Sequence, residues 1–322
     1  MGKYSKRIQE VRKLADNFGK GFAIQCLVRR TYSFSSYERY IYDYLDALFV
    51  PIVKKFEAEY DPDVVIENRY PNKVWTSWWQ GEDYAPELVK VCIESQRKAF
   101  APLGVEVIVL TKDNWHQYID LPQHIMDKFE NGKITITHFS DILRAELLKC
   151  YGGLWIDATV FCTKPVDWKV MSSNLYTVKC HEQSEFLTLK RWTGFLYGDK
   201  PNSELFSFMS MAFEYYWSQK NALVAYLLID YVIAIAYEHF PRIKQAIDEV
   251  PVSNKSIWKM LRRLNKPYDD AKWKQITQDT TFLKLSYKDE FNGGRLIERD
   301  PQNVLTYWGF IENSFGDIYE KN

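Results

Sequence analysis

Residues 138–161, HFSDILRAELLKCYGGLWIDATVF, set a helical pattern against a short strand with only two glycines between them. From Ser140 to Tyr151 the apolar residues Ile142, Leu143, Leu147 and Leu148 cover most of the helix circumference, which predicts a largely buried helix. Gly152 and Gly153 end it, because glycine takes the left-handed geometry of a helix C-cap without steric cost. Leu154, Trp155 and Ile156 then form a strand that delivers one carboxylate, Asp157, to its carboxyl end. Asp141 and Arg144 share a face of the helix with Ala145 and Leu148, so this charged pair must be satisfied by its own salt bridge or by a group brought in from outside. The residues alone leave both readings open.

The surrounding pattern extends this unit into a sheet. Residues 1–68 read as helical, with apolar residues at three- and four-residue steps through YERYIYDYLDALFVPIVKKFEAEY until Pro51 interrupts them and Asp61-Pro62-Asp63 breaks the pattern. NKVWTSWW then reads as a strand, APELVKVCIESQRKAF as a helix and VEVIVL as a strand, with helical segments continuing to residue 131. This β-α-β-α-β order predicts a parallel α/β sheet beginning at Lys73 with helices on its faces. Further strands are expected near 174–179 and 190–197, helices over 203–219 and 222–239, and a polar helical stretch over 254–275. The boundaries that follow are a helical extension over 1–69 and an α/β domain over 70–322 with helical additions at its C-terminal end.

Composition narrows the function classes. With 46% hydrophobic and 26% charged residues in 322, the chain is an ordinary globular one, and Lys+Arg equals Asp+Glu at 42 each, so no whole-protein field favours nucleic acid. Residues 1–30 are uneven: eight basic side chains face only Glu10 and Asp16. Such a segment suits an anionic bilayer surface or a solvated helical face. Five cysteines without CxxC or Cys/His metal spacing fit a reducing, cytoplasmic compartment, and the N-terminus lacks the apolar region of a signal peptide. The longest apolar run, Ala222 to Tyr237, holds Asp230 near its middle and is too short to span a bilayer, so a buried helix is expected.

In open α/β sheets ligands bind beyond the carboxyl ends of the strands, so Asp157 is a candidate ligand-binding acid. A carboxylate there can hold a divalent cation that neutralises a diphosphate, or accept from a ribose hydroxyl. Asp230 sits in LLIDYVIAIAY, where a carboxylate must be paired or functional. His138 is expected to bond backbone at the helix start. His116, His124, His181 and His239 have no ligand spacing, and neither a GxxxxGK loop nor a GxSxG elbow is present.

HFSDILRAELLKCYGGLWIDATVF resembles the core motif of GT-A glycosyltransferases, particularly the capsular polysaccharide synthesis proteins grouped with glycosyltransferase family 32. Their pattern is a Ser-Asp-x-x-Arg helix, Tyr-Gly-Gly, an aromatic strand and Asp-x-Asp. NKVWTSWWQGEDYAPELVKVCIESQ is similar to that family's first strand, loop and helix, and WTGFLYG and YLLIDYVIAIAYE to later elements, so the resemblance covers about residues 70–240 and, more faintly, 280–310. It implies a GT-A type, nucleotide-sugar-binding mixed sheet flanked by helices. It also implies a retaining transfer of a hexose, glucose or galactose, from a UDP-sugar to a saccharide acceptor such as a lipid-linked capsule or exopolysaccharide repeat unit. The protein is then expected to work in the cytoplasm, peripheral to the inner face of the cell membrane through residues 1–30.

By position in that motif, Asp141 and Arg144 bind donor hydroxyls and phosphate, and Asp157 is the first acid of the Asp-x-Asp. Trp75, Trp78 and Trp79 are candidates to flank the base, although aromatics at a strand end also serve as core. Asp230 corresponds to a helix acid facing the donor sugar, and Asp230 and Asp141 are the expected catalytic pair. The departure from the family's pattern is Thr159, which replaces the second acid and weakens the expected Mn or Mg site. Asp157 and Asp279 are the expected metal ligands and Lys284 a diphosphate contact. A second reading follows from the same departure: a degenerate protein that holds nucleotide sugar or glycan without turnover.

Overall fold

The structure is a computed structural model and describes residues 3–65, 72–179 and 187–313. Cys180 and His181 lie outside the described residues. Three helices open the chain, α1 (Lys3–Phe18), α2 (Lys20–Tyr32) and α3 (Phe34–Glu59). Ser33 caps α3, its side chain accepting from the Ser36 amide at 3.0 Å. The helix runs through Pro51, where an interruption was expected. A proline inside a helix loses a backbone hydrogen bond and crowds the preceding turn at a cost of about 3 kcal/mol, and this is offset by burial of Phe49, Ile52, Val53 and Phe56 on both sides of the proline.

The α/β part follows the expected order: β1 (Lys73–Ser77), α4 (Glu87–Phe100), β2 (Glu106–Leu110), α5 (Gln123–Glu130), α6 (Ile136–Tyr151) and β3 (Gly153–Ile156). Next come β4 (Val160–Cys162), α7 (Lys169–Ser172), β5 (Leu175–Thr177), β6 (Leu196–Asp199), α8 (Glu204–Gln219), α9 (Leu228–His239) and α10 (Pro241–Glu249). The chain continues with α11 (Asp270–Thr277), β7 (Phe282–Lys284), α12 (Asp289–Asn292) and α13 (Tyr307–Asn313). The main sheet has the order β2-β1-β3-β6-β5. β2, β1 and β3 are parallel, and β6 pairs antiparallel with both β3 and β5. A second, two-stranded sheet joins β4 to β7.

Three expected elements differ in extent. The strand over 190–197 shrinks to β6 at 196–199. The helix over 222–239 begins at Leu228. The stretch over 254–275 is a chain of turns, with i to i+3 bonds such as Lys259 N to Ser256 O at 2.8 Å, before α11. Those turns keep Ile257, Met260 and Leu264 buried and leave the lysines and arginines outside, a pattern that helical spacing also satisfies.

The alternation of β3 explains the core on both faces of the sheet. Trp155 points into one cluster with Trp75 and Ile108, while Leu154 and Ile156 point into another with Val74 and Val107. α3 joins the first cluster through Ile41, Leu45 and Phe49. Gly153 is required at the start of β3. Its φ is +87°, and a Cβ there would lie 2.2 Å from the Lys73 carbonyl oxygen, so any side chain would push β1 away.

Candidate active site

Four chain segments bring their polar residues to the carboxyl end of β3. α6 runs antiparallel to the strand it feeds, so its first turns lie at that end. β6 also runs against β3, which places residues 192–195, immediately before it, at the same edge. α9 contributes its first turn and β7 its last residue. They enclose a cavity of about 470 Å3 whose wall includes Asp141, Arg144, Asp157, Trp192, Asp230 and Lys284. This size lies within the range of small-molecule sites.

α6 starts at Ile136, with Thr135 as its cap accepting from the His138 amide at 3.2 Å. His138 therefore belongs to the first turn. Its side chain, expected to bond backbone, is fully buried and links two other side chains instead. Trp217 donates Nε1–H to His138 Nε2 at 2.9 Å, which fixes the proton on Nδ1, 3.2 Å from Asp141 Oδ2. The other Asp141 oxygen lies 3.2 Å from Arg144 Nη2. The Asp141–Arg144 salt bridge thus forms, and it forms on the cavity wall. Arg144 also donates to the carbonyls of Ser140 and Gly194 and lies over the Trp155 ring at 4.6 Å. Burial opposes its charge, but Asp141 and Asp157 hold its pKa above the usual arginine value.

Asp157 follows β3 in the turn into β4. Trp155 Nε1–H donates to its Oδ1 at 3.0 Å, and Lys284 Nζ donates to its Oδ2 at 2.8 Å. Arg144 Nη2 is 3.6 Å from Oδ1. Burial pushes the carboxyl pKa up, yet Lys284 and then Arg144 outweigh it and hold the group below the usual range. Lys284 reaches this place through register: β4 and β7 pair Val160 with Lys284, so its ammonium lies over the turn and also donates to Thr159 Oγ1 at 2.8 Å.

Asp230 occupies the first turn of α9 rather than the middle of a helix, because α9 starts six residues later than the apolar run. Trp192 Nε1–H donates to its Oδ1 at 3.0 Å. Desolvation raises its pKa to about 6, with the Trp192 bond acting against the shift and the Asp141 charge adding to it.

Several sequence-predicted positions lie elsewhere. Trp75 is fully buried, donates Nε1–H to the Gly152 carbonyl at 3.0 Å and packs on Tyr118 and Tyr151, so it cannot flank a base. Trp79 packs edge-on against Phe129 and Phe139, outside the cavity wall. Trp78 stands beyond β1 against Tyr287, also outside that wall. Asp279 is exposed and accepts from Thr280 Oγ1 at 3.0 Å. The β4–β7 register separates it from Asp157: Cys162 pairs with Phe282, so residue 279 lies past the far end of β4. It is not a partner of Asp157 for a metal.

The donor set does not fit a protein-held divalent cation. Mg and Mn take several oxygen ligands, of which the protein commonly gives one or two carboxylates free to bind. Here Asp157 is the single acid of the strand tip, Thr159 is a neutral hydroxyl, and the Lys284 ammonium bonds both. Among the described residues no group of three His, Cys, Asp or Glu side chains is arranged to hold a metal ion.

Sequence reasoning gave His138 a backbone role only and missed Trp217 and Trp192. The i, i+3 spacing of His138 and Asp141 at a helix start was a signal for the first. The two tryptophans carry none, because the chain brings them in from more than thirty residues away.

Fold and site together define a mixed α/β protein of GT-A-like architecture, with a charged cavity at the carboxyl edge of its sheet. The model of the capsular polysaccharide synthesis protein family matches residues 29–296, and the chain belongs to that family. Membership gives it a glycosyltransferase-like role in capsular polysaccharide synthesis, with a sugar donor and a saccharide acceptor in general terms. No curated protein and no solved structure matches the chain. Among the described residues no helix is long and apolar enough to cross a membrane.

Proposed function

We propose that the protein is a retaining hexosyltransferase of the kind grouped with glycosyltransferase family 32. It moves glucose or galactose from a UDP-sugar to a saccharide acceptor, such as a lipid-linked capsule repeat unit. The observation that carries this reading is the convergence of Asp141, Arg144, Asp157, Asp230 and Lys284 on one cavity at the carboxyl end of β3. Two cations suit a diphosphate, and two further acids of the same cavity, Asp141 and Asp230, suit sugar hydroxyls.

In this reading Lys284 and Arg144 hold the diphosphate and Asp157 orients both. Asp141 and Asp230 accept from donor-sugar hydroxyls, and ionised Asp230 stabilises the positive charge that develops at the anomeric carbon. The acceptor oxygen bonds to that carbon on the face from which the diphosphate departs. The carbon–oxygen bond to the diphosphate breaks, and the acceptor proton passes to a phosphate oxygen, so no protein nucleophile is needed. A neighbouring groove of about 300 Å3 shares Thr137 and Tyr226 with the cavity and is lined by α1 and α2 residues including Glu10 and Arg30. It offers the acceptor a route in. We further place the protein in the cytoplasm, with residues 1–30 against the inner face of the membrane.

The test is to incubate the protein with UDP-glucose and UDP-galactose, with and without saccharide acceptors, and follow free UDP and the anomeric configuration of product by NMR. UDP release and an α-linked product from an α-linked donor support the reading. Donor binding without UDP release from any donor supports instead a catalytically degenerate nucleotide-sugar or glycan-binding protein, and release of UMP a sugar-phosphate transferase.

A further inference from the structure

We infer that Lys284 takes the place of the divalent cation, so that the site binds a nucleoside diphosphate through a protein-borne ammonium and without metal. The inference rests on the donor-site reading above and concerns how that site neutralises charge.

Three observations carry it. First, the ammonium lies where a metal held by this strand tip would have to lie: 2.8 Å from Asp157 Oδ2 and 2.8 Å from Thr159 Oγ1, the two side chains at the first and third positions of the Asp-Ala-Thr turn. A cation of radius comparable to an ammonium cannot share that volume, and a dication beside it would meet like-charge repulsion. Second, the replacement is consistent in chemistry. A lysine ammonium offers three donors and no acceptor; the carboxylate and the hydroxyl take two, which leaves one for a ligand in the cavity that Lys284 lines. Thr159 suits such a donor, since a hydroxyl accepts well from an ammonium although it is a weak ligand for a hard dication. Third, the position is built. The Lys284 side chain is only 17% exposed, its Nζ lies over the Phe195 ring at 4.7 Å, and it is carried by a paired strand whose Lys284 amide donates to the Ile257 carbonyl at 2.8 Å. A solvated surface lysine would have none of these constraints.

Arg144 supplies the second positive charge. Its guanidinium lies 3.6 Å from Asp157 and 3.2 Å from Asp141, so each cation is held in place by a carboxylate, and both line the cavity where they can bond the diphosphate of a nucleotide sugar as it departs with increasing negative charge. The ammonium and guanidinium stay in place between turnovers, whereas a metal arrives with each donor. Activity should therefore be insensitive to chelators.

The experiment is calorimetric titration of the full chain with UDP in buffer containing EDTA and in buffer containing MnCl2. Dissociation constants agreeing within about threefold support the inference, because a bound metal bridging the diphosphate would change affinity by at least about tenfold. Lys284→Ala should weaken UDP binding at least about tenfold in EDTA. Lys284→Glu puts a second carboxylate beside Asp157 and should convert the site, giving UDP binding that appears with Mn and is lost on chelation; circular dichroism melts verify that both variants fold. If Lys284→Ala melts as an unfolded chain, the wild-type comparison and Lys284→Arg, expected to retain metal-independent binding, decide the matter. Binding that appears only with Mn in the wild type would overturn this inference while leaving the donor-site reading standing. A protein that binds UDP under neither condition would overturn both.

Discussion

Lys284 Nζ lies 2.8 Å from Asp157 Oδ2, although 127 residues separate them in the chain. The pair joins the tip of the central strand to the last residue of the second sheet, and it sets the charge of the cavity. Asp157→Ala leaves the ammonium and Arg144 without their shared carboxylate. Breaking such a partly buried pair should lower stability by about 1–3 kcal/mol. The lowered Asp157 pKa fixes the sign of its pH dependence: the ionised form stabilises the fold above the unfolded value near 4, and that contribution is lost as pH falls through the lowered folded value. The difference between wild type and Asp157→Ala in urea melts should therefore shrink below about pH 4.

Asp230 behaves in the opposite sense. Its folded pKa of about 6 exceeds the unfolded value, so its contribution is present below about pH 4 and is lost as pH rises through 6. Asp230→Asn keeps an acceptor for Trp192 and removes the buried charge, and it should be more stable than wild type at pH 8 by roughly 1–3 kcal/mol, with the gap closing toward pH 4. If the ionised carboxylate serves the reaction, the wild-type rate should rise with an apparent pKa near 6, and Asp230→Asn should be slower and lack that limb. A variant with full activity and an unchanged pH profile would remove Asp230 from the mechanism.

How much of this was legible beforehand follows from where each contact comes from. The helix, the glycine cap, β3 and Asp157 are consecutive, so periodicity and turn chemistry were enough to place them. Asp141 and Arg144 were legible as a pair for the same reason. Trp75 was misassigned because a strand end and a core position look alike in sequence, and only pairing across β1 and β3 shows that its indole faces Gly152. Asp279 was misassigned because register decides which residue of 279–284 reaches the strand tip, and register is a long-range property. The late start of α9, which moves Asp230 from mid-helix to the first turn on the cavity wall, depends on Ala222 and Val224 being buried in a loop, a burial that a continuous apolar run does not reveal.

His138 should act as a positioning residue. His138→Phe removes the bonds to Asp141 and Trp217 and should cost about 1–3 kcal/mol of stability. The same substitution frees Asp141 to rotate and should lower kcat more than it raises KM. A raised KM with kcat unchanged would assign His138 to donor binding alone.

Trp75→Phe separates the core role from a base-binding one. It loses the hydrogen bond to the Gly152 carbonyl and should lower stability by about 1 kcal/mol. UDP affinity by calorimetry should be unchanged, and a loss of tenfold or more would return Trp75 to the donor site.

Deleting residues 1–30 should reduce co-sedimentation with vesicles containing anionic phospholipid, and the effect should vanish in high salt or on neutral vesicles. Unchanged binding would remove the membrane role proposed for this segment.

The central claim is tested most directly by a crystal structure of the protein with UDP. The account predicts the diphosphate in the cavity beyond β3, with phosphate oxygens within hydrogen-bonding distance of Lys284 Nζ and the Arg144 guanidinium. UDP seated away from the carboxyl end of β3, with Lys284 still paired only to Asp157 and Thr159, would contradict it.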